Sequence, residues 1–225
     1  MMQIQLHTHD QHALNAYVAG PEDAQHSIVV IQEIFGVNAH MRHVTDQFAA
    51  AGYRAICPAL FDRIEANIEL DYDPAGIQRG LALRNQITEE QALMDIEAAA
   101  QAVSSEHLPG IVGYCWGGTL AWLAACRSPL FAAASCWYGG GIAKAADESP
   151  HIPVQMHFGM QDKSIPVHDI DAIRAAQPGV AIYTYADAGH GFGCEERSSF
   201  HSGSAALAQE RTLAFFATTL NAPAA

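Results

Sequence analysis

Three side chains in this sequence are of types that, acting together, break acyl bonds: Cys115, Asp162 and His190. Cys115 lies in "GYCWGG", straight after the apolar run "GIVGY" and straight before "GGTLAWLAACR". A strand, a tight turn and a helix are expected there. Gly113 and Gly117 flank the thiol where the two backbones must pass close together. Such a turn lifts the cysteine above a sheet and aims the Trp116 amide at the space where an oxyanion would form. The helix N-terminus beneath favours a thiolate.

A base and an orienting acid are then expected further along the chain. His190, in "DAGHGF", follows the run "VAIYTYA" in a glycine-flanked loop. Asp162, in "FGMQDKSIP", follows "VQMHFG" and suits the carboxylate that fixes an imidazole tautomer. Asp187, Asp169 and Asp171 compete for that role. His157 falls inside a strand and reads as core, whereas His40 and His43 share a helix face and read as solvated. Cysteine, aspartate and histidine in this order form an ester-type nucleophilic site that needs no metal or organic cofactor.

Alternating elements must position these groups. Eight β-rich runs are expected: "QIQLHT", "LNAYVA", "SIVVIQEI", "YRAICP", "GIVGYC", "AAASCWYG", "VQMHFG" and "VAIYTYA". Helices are expected over roughly residues 39–51, 79–107, 117–127, 168–177 and 204–220. The pattern predicts an α/β protein with a mostly parallel central sheet, helices on both faces and an antiparallel first pair. Ligands sit at the carboxyl ends of such strands. No repeat or linker divides the chain, so residues 1–225 read as one domain, with the tail "NAPAA" frayed.

Composition removes other classes. The 225 residues carry 11 Lys and Arg against 24 Asp and Glu, a formal net charge of −13. That balance argues against nucleic acid and against an anionic membrane surface. An anionic small-molecule substrate would need a local cation. Five scattered cysteines without a CxxC pair suggest a reduced, cytoplasmic protein, and no zinc spacing is present. The N-terminus lacks the look of a secretory signal. A monomer is expected.

Glu33, in "VIQEIFGVN", ends an apolar run, where a carboxylate is costly unless it finds a partner or reaches solvent. "QEIFGVN", "ICPALF", "GYCWGG", "GMQDKSIP", "AGHGF" and "ERTLAFF" together resemble the dienelactone hydrolase (carboxymethylenebutenolidase) family, of α/β-hydrolase fold. The resemblance runs from about residue 10 to about residue 220. It implies a triad of Cys115, Asp162 and His190, and oxyanion donors at the amides of Ile34 and Trp116. It implies that Glu33 hydrogen-bonds the resting thiol until substrate displaces it. The implied substrate is an unsaturated lactone bearing a carboxylate, held by arginines.

One of those arginines corresponds to Arg79. The second would fall four residues after His190, where this chain has Cys194, with Arg197 near but out of register. The substitution leaves a broader esterase or thioesterase for neutral esters as the alternative. A non-catalytic binding or thiol-redox protein is the remote one. Phe35, Phe61, Trp116, Trp137, Tyr138 and Phe192 are candidate aromatic lining, and Cys194 a candidate pocket wall.

Overall fold

The computed structural model describes residues 2–221. Residues 222–225, most of the segment expected to fray, lie outside the described residues. Eight strands form one sheet in the order β1-β2-β4-β3-β5-β6-β7-β8. They are β1 (Met2–His7), β2 (Ala13–Ala19), β3 (Ser27–Ile31), β4 (Arg54–Pro58), β5 (Gly110–Tyr114), β6 (Ala133–Trp137), β7 (Val154–Gly159) and β8 (Ala181–Tyr185). β2 is antiparallel to both β1 and β4. From β4 to β8 every pairing is parallel. The eight strands are those expected, and β3 and β5 lie at the centre with every residue buried.

Six α-helices connect and cover the sheet: α1 (Ala39–Ala50), α2 (Pro74–Arg84), α3 (Glu89–Val103), α4 (Trp116–Arg127), α5 (Val167–Ala176) and α6 (Ser202–Thr219). Right-handed crossovers send α1 to one face and α3, α4 and α5 to the other, because β4 lies on one side of β3 and the later strands on the other. α6 joins α1, with Phe216 edge-on to Phe48.

Two expectations change. The long helix over 79–107 is two helices, α2 and α3, separated at residues 85–88. Asp73 caps the first and Pro74 opens it. Thr88 and Gln91 form a capping box on the second. The apolar run "SIVVIQEI" stops pairing at Ile31. The Gln32 side chain then bonds two backbone groups, donating to the Glu33 carbonyl and accepting from the Leu60 amide. This turn sends Glu33 out of the sheet while leaving it completely buried.

The central crossing at β5 and α4 leaves no room for side chains. A Cβ on Gly113 would lie 1.9 Å from the Gly117 carbonyl oxygen, and one on Gly117 would lie 2.4 Å from that of Ile31. Backbone atoms cannot move aside cheaply. Gly113→Ala is therefore expected to cost about 1–3 kcal/mol or more, a fall in Tm of roughly 2–12 °C. A thermal melt with unchanged Tm would contradict this account of the turn.

Candidate active site

Cys115 sits between β5 and α4 with φ 55° and ψ −114°. That conformation costs a non-glycine residue on the order of 1–3 kcal/mol and persists only where the surroundings enforce it. Here they do. The Cys115 amide donates to the Trp137 carbonyl at 3.0 Å, and its own carbonyl accepts from Gly118 at 3.0 Å. The sulfur is thereby held at the carboxyl end of the sheet, partly exposed, whereas the other four cysteines are buried.

The structure brings all three expected side chains together. Cys115 Sγ lies 3.1 Å from His190 Nε2, and His190 Nδ1 lies 2.7 Å from Asp162 Oδ2. The other Asp162 oxygen accepts from the Ser164 amide at 2.7 Å. The Ser199 hydroxyl donates to the His190 carbonyl. The edge of the Tyr138 ring packs on the imidazole at 5.4 Å between centroids. Burial opposes a charge on His190, but the Cys115 sulfur and the Asp162 carboxylate outweigh it and push the imidazole up to about 10. Asp187 is exposed, Asp169 lies beside His168, and Asp171 bonds Arg174. His157 is buried and bonds Tyr185 and Thr212.

The thiol opens into a cleft of about 390 Å³. Ile34 and Trp116 line it beside Cys115 and His190. The Trp116 amide opens α4, where helical N–H groups have no partner within the helix. Phe35 lines the cleft as expected. Ile77 and Leu81 of α2 add an apolar wall that sequence patterning had not assigned to the site.

Other expected lining residues lie elsewhere. Arg79 is exposed, does not line the cleft and pairs with Glu65. Tyr138, Phe192 and Cys194 are fully buried and do not line it either. Phe192 stacks on Trp137 at 5.6 Å, and Tyr138 packs edge-on to both. They form the floor behind His190, because β6 and the histidine loop turn their aromatic faces toward one another. Phe61 and Trp137 are likewise buried off the cleft, with Phe61 stacked on Trp116.

Arg197, and not residue 194, reaches the cleft. Successive turns fold the histidine loop back on itself: Cys194 N–H donates to the Gly191 carbonyl and Arg197 N–H to that of Cys194. The seventh residue after His190 thus reaches the cleft. Gly191, at φ 74°, gives it room, since a Cβ there would meet the Arg197 side chain at 2.6 Å. Counting residues from His190 missed this, because the loop's fold, not its length, sets the reach.

Arg197 Nη1 donates to Glu33 Oε1 at 3.3 Å, with the guanidinium 5.6 Å from the Phe35 ring centre. The buried Glu33 carboxylate therefore bonds Arg197, while the thiol bonds His190. Its second oxygen has no partner among the described residues. His40, expected in solvent, is buried beside it. Donor atoms of Glu33, His40 and Cys194 lie within 4.8 Å of one another. The Arg197 cation on Glu33 opposes a divalent ion there.

Charge in the cleft runs against that of the chain. Arg84, Lys144 and Arg197 line it, and among the described residues no Asp or Glu does. These are three of only 11 basic residues in a protein with 24 acidic ones. Low-dielectric walls focus such a local positive field on anything that enters. Among the described residues no helix is long and apolar enough to cross a membrane.

Comparison with known proteins agrees with this geometry. The dienelactone hydrolase family model matches residues 14–220. A carboxymethylenebutenolidase of Pseudomonas putida is 34% identical over 227 residues, covering 95% of each chain. The crystal structure of the "Putative Dienelactone Hydrolase" of Klebsiella pneumoniae superposes with TM-score 0.84 at 29% identity, covering 96% of this chain and 98% of that one. An esterase of Pyrococcus furiosus shares the fold alone, with TM-score 0.71 at 10% identity. By its sequence over nearly its whole length and by its α/β-hydrolase fold, this chain belongs to the dienelactone hydrolase family.

Proposed function

We propose that this protein is a cysteine-nucleophile hydrolase that opens a carboxylated unsaturated lactone of the dienelactone type through an acyl-thioester. The observation that carries the reading is the relay from Cys115 Sγ through His190 to Asp162, at 3.1 and 2.7 Å, at the foot of an acid-free cleft.

His190 takes the thiol proton, and Asp162 holds the imidazolium by its Nδ1. The Cys115 sulfur adds to the lactone carbonyl, and the amides of Ile34 and Trp116 receive the developing oxyanion. Such donors are typically worth about 2.7–4 kcal/mol each. The ring C–O bond breaks as the tetrahedral intermediate collapses, and His190 returns its proton to the leaving oxygen. A water then loses a proton to His190 and adds to the thioester carbonyl. The C–S bond breaks, the second carboxylate leaves with the product, and the sulfur recovers the proton. Glu33, docked on Arg197, stays off the thiol in this cycle. Released from Arg197, its alternative partner is Cys115.

The cleft cations favour an anionic substrate, with Arg197 the anchor of its carboxylate. Initial rates on a carboxylated dienelactone and on a short neutral aryl ester test this side by side. A strong preference for the dienelactone that fades with added salt is expected, since ionic strength screens capture of an anion. Equal turnover of the neutral ester at all salt concentrations would make this a general esterase instead. Stoichiometric oxidation of Cys115 without hydrolysis of either would make it a thiol-redox protein.

Losing one charged hydrogen bond costs about 1.5–3 kcal/mol, or roughly 10- to 150-fold. Arg197→Ala should lower kcat/KM on the dienelactone by that factor beyond the loss it shows on the neutral ester, which shares only the release of Glu33. Arg79→Ala should change neither by more than about twofold, because its exposed pair with Glu65 is worth little. Equal losses on both substrates in Arg197→Ala would instead tie the arginine's role to Glu33 alone.

A further inference from the structure

In the proposed cycle the position of Glu33 decides whether Cys115 is free, yet only one of its two oxygens is held. Oε1 accepts from Arg197 at 3.3 Å, a long bond, and Oε2 has no hydrogen-bond partner among the described residues although the residue is completely buried. A buried carboxylate oxygen left unpaired is costly, so a donor within reach is strongly favoured. One is present. His40, in the first turn of α1, is buried and its Nε2 also lacks a partner among the described residues. A ring nitrogen of His40 and a carboxylate oxygen of Glu33 lie within 4.8 Å. Small side-chain rotations close that gap.

The surroundings of His40 are built to hold it. Asn38 caps α1 by accepting from the Met41 amide, and its Nδ2 donates to the Tyr72 hydroxyl at 3.2 Å. Tyr72 in turn presses its ring edge-to-face against His40, with centroids 6.2 Å apart. Burial disfavours a charged His40, while Glu33, Glu195 and Glu196 pull the other way and His43 adds to the effect of burial. A neutral imidazole carries one N–H, enough to satisfy Glu33. The Cys194 thiol also lies within 4.8 Å, but burial pushes it up to about 12 and a thiol is a weak donor.

We infer that His40 is a positioning residue: with Arg197 it forms a two-point dock that holds Glu33 away from Cys115. His40 lines no part of the cleft, so it acts on substrate only through Glu33. The inference rests on the proposed restraint of the Cys115 thiol by Glu33. Without the dock, Glu33 turns to the thiol, favours its protonated form and slows its attack.

The test is alkylation of substrate-free protein with iodoacetamide at neutral pH, with Cys115 modification followed by mass spectrometry, alongside kcat and KM. His40→Ala is expected to slow alkylation and kcat by about tenfold, the worth of one hydrogen bond of about 1.4 kcal/mol, with KM within twofold. His40→Gln, which keeps a donor, should recover most of the loss. In a Glu33→Gln background, where no carboxylate can capture the thiol, His40→Ala should have no further effect. Equal slowing by His40→Ala in both backgrounds would overturn the inference, as would unchanged alkylation accompanied by a Tm loss of the same size in both backgrounds. With the dock intact, Glu33→Gln alone should leave alkylation close to wild type. Arg197→Ala, which removes the bond held by Glu33, tests the underlying reading: if alkylation is as fast in it as in Arg197→Ala with Glu33→Gln, the restraint of the thiol fails. The dock is then judged by melting: a Tm loss from His40→Ala that disappears in Glu33→Gln supports it, and an additive loss refutes it.

Discussion

Cys115→Ala is expected to abolish lactone turnover, by more than about 10,000-fold, without unfolding the protein. The magnitude follows from how nucleophilic sites work: groups that act as a unit lose nearly everything when the attacking atom goes. The fold should persist, because the turn is set by Gly113, Gly117 and the hydrogen bond from the Cys115 amide to Trp137, none of which involves the sulfur. Initial rates on the dienelactone, with a Tm within a few degrees of wild type, check both halves. Rapid quenching of the wild type should also trap substrate mass on the peptide containing Cys115. Full activity in Cys115→Ala would move the nucleophile elsewhere and remove the mechanism proposed above.

Asp162→Asn should be nearly as damaging while leaving the shape of the site intact. The loss is expected to be about 1,000- to 10,000-fold in kcat, because an amide can present the wrong atom to His190 Nδ1 and so select the wrong tautomer. The change also has a pH signature. With Asp162 in place the imidazole is pushed up to about 10, since the sulfur and the carboxylate together outweigh burial. In the free enzyme the imidazole therefore stays protonated through neutral pH and loses its proton only as pH rises through about 10. Removing the carboxylate's charge takes away part of that support, and the alkaline limb of kcat/KM should move to lower pH. A pH–rate profile for the two proteins measures it. An unshifted limb would mean that Asp162 contributes orientation alone.

The alternation of eight apolar runs with helical segments was enough to predict a mostly parallel sheet, because a buried parallel strand must be apolar on both faces. "GYCWGG" was enough to predict a sharp turn around a thiol, because no other residue tolerates the backbone approach at Gly113. The order of Cys115, Asp162 and His190 along the chain, each after a strand, placed them at one end of the sheet. The break between α2 and α3 was also written in the sequence, in Asp73–Pro74 and in Thr88 with Gln91. The helical periodicity across 79–107 obscured it.

Which cations and apolar groups face the substrate was a different matter. Arg79 and Arg197 look equivalent as sequence, and the choice between them depends on a loop that doubles back through Gly191 and on an exposed glutamate that captures Arg79. Aromatic character could not separate Phe35, which lines the cleft, from Phe192 and Tyr138, which pack behind it. The burial of His40 against Glu33 joins residues whose elements meet only when α1 closes on the sheet. The meeting of Cys115, Asp162 and His190 was legible because each follows a strand of one sheet, and the turn that holds the thiol is set by neighbours in the chain. The lining of the cleft and the burial of Glu33 beside Arg197 and His40 were decided by the tertiary structure alone, because they depend on which surfaces of distant segments come to share one small volume.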